Sequence, residues 1–109
     1  MNNFSITGNL TRDPHTKEVG DKTICEFGVA VPHPYKKDQV SFVECGAWDK
    51  RGEFVQKFFT KGKSIAVTGP FVQRRWDDKD GNSRNAWQLE PNTIEFNGPK
   101  QTDSQEPAF

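Results

Sequence analysis

Excess charge of either sign, histidine, cysteine and long apolar runs are all scarce or missing in this chain, and each shortage narrows what it can be. The 15 basic and 15 acidic residues cancel to a formal charge of zero, which argues against a molecule that works by bulk electrostatic attraction alone. The two cysteines, Cys25 and Cys45, lie 20 positions apart with no CxxC spacing. Both sit in apolar strand-like runs, so they read as buried free thiols acting as small hydrophobes, not as a disulfide or redox pair. The two histidines, His15 and His33, stand in loop-like contexts without ligand spacing, and no metal site or cofactor is expected. Asp77 to Gly81 has the look of a calcium loop, but its first ligand position would fall on Trp76, so the match fails. There is no apolar run of membrane-spanning length and no charged-then-apolar leader, which points to a soluble, cytoplasmic protein with no membrane partner. On that ground the sequon Asn9-Leu10-Thr11 is read as chance. Paired carboxylates, a nucleophile–base set and a phosphate loop are also missing, so the chain is not expected to be an enzyme.

What is present is aromatic. The 109 residues suffice for one domain, and although only 32% are hydrophobic, nine Phe and three Trp bury large areas per residue. Bases come in pairs beside aromatics: Lys36-Lys37 after Tyr35, Lys50-Arg51 just after Trp48, and Arg74-Arg75 before Trp76. Setting aside Asp103 and Glu106 near the C-terminus leaves the bases in slight excess. Arg74-Arg75-Trp76 is the most telling of these groups. Two guanidiniums and an indole make a poor core strand but a good surface for a flexible polyanion with flat bases. The Asp80-Gly81 step beyond them is a hairpin turn signal.

Period-two alternation places a strand at Phe4, Ile6, Gly8 and Leu10, ended by Pro14. A polar loop through Gly20-Asp21 follows, then a strand over residues 24–31 and another over residues 40–48. In the latter Val43, Cys45 and Ala47 face one way, and Phe42, Glu44, Gly46 and Trp48 the other. Residues 51–61 switch to helical period, with Phe54, Val55, Phe58 and Phe59 as the apolar stripe and Gly62 as C-cap. Residues 64–75 return to strand, with a bend at Gly69. After the hairpin, residues 85–90 pair back, and Pro91 interrupts before residues 94–96. From about residue 98 the composition is that of a disordered tail. Three strands, one helix and two strands, all-β with a long hairpin between strands four and five, suggest the five-stranded Greek-key barrel called the OB-fold. That fold binds oligonucleotides or oligosaccharides on its strand 2–3 face and loops.

The motifs Ile6-Thr7-Gly8-Asn9-Leu10-Thr11-Arg12-Asp13-Pro14, Phe42-x-x-Cys-x-Ala-Trp48, Phe58-Phe59-Thr60-Lys61-Gly62, Val67-Thr68-Gly69 and Gln73-Arg74-Arg75-Trp76 with its Asp-Gly turn occur in that order over residues 1–97. In this order and spacing the chain resembles the bacterial and phage-type single-stranded DNA-binding protein family. The resemblance implies sequence-tolerant binding of single-stranded DNA in replication, recombination and repair. It puts base stacking on Tyr35, Phe42, Trp48 and Trp76, and backbone contacts on Lys36, Lys37, Lys50, Lys61, Arg74, Arg75 and Arg84. Strand alternation sets Arg74 on the face of Trp76 and Arg75 opposite. The resemblance further implies a homo-oligomer, a tetramer by family habit. It also implies a tail over residues 98–109 whose tip, with Asp103, Glu106, Pro107 and Phe109, recruits replication and repair proteins. The chain departs from the family pattern at Ala108, between Pro107 and Phe109, and at Glu44, a negative charge in mid-face. The neutral net charge and Glu44 leave a second reading open, an OB-fold accessory module that docks protein or RNA.

Overall fold

The computed structural model describes residues 1–97. The expectations for the tail, with Asp103, Glu106, Pro107 and Phe109, lie outside the described residues. The elements in chain order are β1 (Phe4–Leu10), β2 (His15–Val19), β3 (Lys22–Pro32), β4 (Val40–Trp48), α1 (Asp49–Phe58), β5 (Ser64–Gly69), β6 (Phe71–Asp77), β7 (Ser83–Leu89) and β8 (Thr93–Phe96). They form one curled sheet in the order β6-β7-β4-β3-β1-β5-β8, with β2 hydrogen-bonded to β3 off that path. The five expected strands account for the eight observed. β2 is an addition, and the fourth and fifth strands are each broken in two, at Pro70 and Pro91. The architecture is the all-β OB-fold with one helix between its third and fourth strands. The ladder itself stays open: β5 and β6 are joined by the chain at Pro70 and not by strand pairing.

Alternation builds the core. β3 and β4 run antiparallel, with Phe27 opposite Cys45 and Cys25 opposite Ala47, and all four are fully buried. Val55 and Phe59 from the helical segment, Ile65 and Val67 from β5, and Leu89 from β7 pack on them. Each such side chain contributes about 1.5–3 kcal/mol on burial, and Phe27 and Phe59 are the two largest that are fully buried. Ile24 is buried as well but lies outside this cluster, because its neighbour Cys25 takes the core face.

Beyond shifts at strand ends, four departures from the sequence reading have a local reason. The sequence reads as polar loop through His15–Val19, which carries no apolar alternation, and in the structure all five residues are exposed. This segment becomes a strand by pairing with β3 across the tight Gly20-Asp21 turn, Val19 opposite Lys22, with Gly20 at φ 65°. The helix starts at Asp49, two residues early. Asp49 takes a left-handed backbone (φ 51°), and its carboxylate accepts the Thr23 amide at 3.1 Å. The helix also ends early, at Phe58, where Phe59 turns extended. Gly62 is therefore not its C-cap; it sits in the turn into β5 and donates to the Leu10 carbonyl at 2.8 Å. Finally, residues 64–75 do not form one strand, because Pro70 has no amide to give a ladder.

Both thiols are shut inside this core, and burial pushes the Cys45 thiol up to about 12. Burial raises the Cys25 thiol too. Ellman's reagent at pH 8 should therefore label neither cysteine in the native protein and both after denaturation. Prompt labelling of the native chain would contradict this packing.

Candidate nucleic-acid interface

The face of β3 and β4 turned away from the core carries, in register, Ala30 with Phe42, Gly28 with Glu44, Glu26 with Gly46, and Ile24 with Trp48. Phe42 is 71% exposed. Glu44 does not stand as a bare charge: Arg12, just past β1, donates to its two oxygens at 2.8 and 3.4 Å. The guanidinium lies over Gly28, where a Cβ would come within 2.7 Å of Arg12 Nη1. The hydrogen bond to Glu44 raises the Arg12 pKa further, against a smaller opposing push from burial.

Gly46 serves a similar end. A Cβ there would meet the Gln88 amide and Ile24 Cδ1, each at 2.7 Å. Gln88 is thus laid into the sheet and buried, and its Oε1 accepts Arg74 Nη1 at 3.3 Å. Arg74 Nη1 is also 3.9 Å from Glu26 Oε2, which Lys17 Nζ approaches at 3.5 Å. One half-buried carboxylate on β3 therefore holds a lysine from β2 and an arginine from β6. Over this floor opens a groove of ≈ 470 Å³, lined among others by Lys17, Glu26, Glu44, Arg74, Trp76 and Gln88. Trp76, 51% exposed, stands on the same strand face as Arg74, as alternation requires.

The turns are organised by side chains. β4 and β7 pair in parallel, so the turns that open them, residues 33–39 and 78–82, lie at the same end of the molecule. In the first, His33 Nδ1 accepts the amides of Tyr35 and Lys36 at 3.0 and 3.1 Å, and the two rings meet edge-on. This presents Tyr35, 88% exposed, with Lys36 and Lys37 also exposed beside it. In the second, Asp78 accepts the amides of Asp80 and Asn82, both at 2.9 Å, and Arg84 Nε at 2.8 Å. Arg84, directly across from Trp76, thereby braces the hairpin tip. That bond is the main reason the Asp78 carboxyl lies below its ordinary range, with the turn amides adding to it.

The structure therefore gathers Arg74, Trp76 and Arg84 on one arm, with Tyr35, Lys36, Lys37 and Phe42 toward the same end. Trp48 ends β4 at the opposite end and is half-buried, and Lys50 faces a shallow pocket with Arg51, Phe54 and Ile94. Lys61 is exposed beside the end of β1, its amide held by Asp13. Arg75 points to the other face of β6, its Nη2 donating to Gln73 Oε1 at 2.7 Å. The sequence reading gives no site role to Arg12, Lys17, Glu26 or His33, because each acts on groups that the fold brings to it. Among the described residues no cluster of three or more metal-ligating side chains occurs, and no helix is long and apolar enough to cross a membrane.

The model of the single-strand binding protein family matches residues 1–97. A single-stranded DNA-binding protein of Clostridium perfringens is 35% identical over 86 residues, covering 77% of this chain and 57% of that protein. One of Treponema pallidum is 29% identical over 104 residues, covering 90% and 58%. Single-stranded DNA-binding protein 2 of Clostridium acetobutylicum is 30% identical over 101 residues, covering 88% and 76%. The chain thus spans under three fifths of the length of the first two.

A carboxyl whose folded pKa is depressed contributes order that is complete above its unfolded pKa and is lost as pH falls through the folded value. In an NMR titration Asp78 should titrate below the usual aspartate value of about 3.9, with the Asp80 and Asn82 amides shifting in step. A midpoint at or above that value would contradict the bracing of the tip.

Proposed function

The chain belongs to the single-strand binding protein family, and from that premise we propose that it binds single-stranded DNA with little sequence preference, in replication, recombination and repair. The observation that carries this reading is the open groove in which Arg74 and the half-exposed Trp76 share one strand face, with Phe42 exposed on β4. Bases stack on Trp76, Phe42 and Tyr35; Trp48, half-buried, contributes a smaller ring surface at the far end. The cations at Lys36, Lys37, Arg74 and Arg84 follow the phosphates, Lys50 and Lys61 lie away from the groove, and Arg75 borders it from the other face of β6. Each stack contributes about 1–3 kcal/mol and accepts any base. Four such phosphate contacts would give a salt slope of about −3. The carboxylates that already hold Arg74 and Arg84 reduce it, because a phosphate must displace them. Binding should therefore survive moderate salt better than charge alone would allow.

The test is the double variant Trp76→Ala with Phe42→Ala. Losing two stacks should weaken poly(dT) binding by at least about thirtyfold, while thermal unfolding stays close to that of the unsubstituted chain because both rings face solvent. Unchanged affinity would end the stacking model.

The same premise supports self-association, a tetramer by family habit. β1 pairs with β5 from Phe4 to Asn9 but with β3 only at Asn9 and Leu10. Among the described residues this leaves one edge of residues 4–8 without a ladder partner, and such an edge can template another strand. Sedimentation at micromolar concentration should give an oligomer, and a monomer mass would refute this.

A further inference from the structure

β6 and β7 form a two-stranded arm, and alternation gives it two faces. The face turned away from the core carries Arg74, Trp76, Arg84 and Ala86. The underside carries Gln73, Arg75, Asn85 and Trp87, with Gln73 opposite Trp87 and Arg75 opposite Asn85. Trp87 is the surprise of this underside. It is 51% exposed, as exposed as Trp76, yet it is held flat. Its ring stacks on Phe71 at 5.3 Å and 18°, and Phe71 leans on Phe4 at 4.9 Å. One π-face is therefore supported from below while half of the residue remains in water, which is the geometry of a preformed stacking platform.

The charge beside it is also more available than on the upper face. Arg74 is partly neutralised by Glu26, but the Arg75 guanidinium rests on a neutral amide, Gln73 Oε1, and makes no ion pair among the described residues. The nearest acid on the underside is Asp77 at the tip, already accepting the Ser83 hydroxyl at 3.4 Å. Trp76, Arg75 and Trp87 all border the same groove, so the two faces are continuous around the arm.

We propose that Trp87 and Arg75 form a second contact surface for the same single strand, which passes over the arm from Trp76 and stacks a further base on Trp87. This rests on the single-stranded DNA reading above and reverses the expected order of the two arginines: Arg75 is the freer phosphate ligand. A second copy of the chain is the competing occupant, since Trp and Arg also mark subunit contacts, but an arginine that rests on a neutral amide beside the ring, with no carboxylate partner among the described residues, favours a phosphate backbone.

The test uses the full chain and dT oligomers of about 5 nucleotides, within one OB-fold site, and of about 35. In a Trp48→Phe, Trp76→Phe background Trp87 is the only indole, and its emission should be quenched by the long oligomer and not by the short one. In the unsubstituted background Trp87→Ala should weaken the long oligomer about 5- to 150-fold and the short one less than about twofold. Arg75→Gln, which leaves the aromatic stack intact, should lower the salt slope for the long oligomer by about 0.7. Equal affinity of both variants for the long oligomer, or an unquenched Trp87, overturns the proposal while leaving the groove reading intact. A drop in sedimenting mass with unchanged DNA affinity overturns it in favour of a subunit contact. Failure of the unsubstituted chain to bind either oligomer removes the underlying reading as well.

Discussion

The parallel pairing of β4 with β7, at Cys45 opposite Leu89, is the contact on which the rest of the surface depends. Both residues are fully buried, so at that level the β6–β7 arm and the β3–β4 hairpin share one core. From there the two hairpins rise in the same direction, and their turns reach the same end of the molecule. Alternation then settles what each strand shows. With Leu89 inward, Gln88 must point outward onto Gly46, and Arg74 and Trp76 fall on the same side. The base of the arm is pinned a second time by Asn2, whose amide side chain both accepts the Phe71 N–H and donates to its carbonyl, at 2.9 and 3.1 Å.

Zero net charge is compatible with a polyanion partner because the groove is not a field but a set of exchangeable pairs. Glu44 holds Arg12, and Glu26 holds both Lys17 and Arg74, each pair linking side chains from different segments. Pairs this open to water are worth about 0–1 kcal/mol each. They contribute little stability, but they fix where the cations wait, and a phosphate that displaces a carboxylate gains little net charge attraction. Under the proposed reading base stacking supplies most of the affinity, so the exposed rings matter more than the count of bases.

Much of this was legible in the chain. β1, the bounds of β4, the two faces of β4, and the split of Arg74 from Arg75 follow from period-two alternation, which burial on one side enforces. β2 was not legible, because a strand exposed along its length carries no hydrophobic pattern and exists only through its partner. The end of the helix is hidden in the sequence since Phe58 and Phe59 continue an apolar stripe that the backbone does not follow. Trp48 looks as available as Phe42 on spacing alone, but at the far end of β4 it is half-buried. Trp87 is inconspicuous for the opposite reason. Its strand reads as a simple return, and only the register that sets it across from Gln73, above Phe71, reveals a supported ring in solvent. The roles of His33, Asp78 and Glu26 are three-dimensional, since each acts on groups brought to it by a turn or by another strand.

The central claim is that exposed rings on a protein of zero net charge grip single strands by their bases. Titrating the intrinsic tryptophan emission of the unsubstituted chain with dT oligomers, duplex DNA and RNA of equal length, across a range of salt, tests this most directly. The expected result is strong quenching by dT that persists at moderate salt and little response to duplex, whose bases are already stacked. An equal response to duplex, or a dT response abolished by moderate salt, would show attraction to phosphate alone and contradict it.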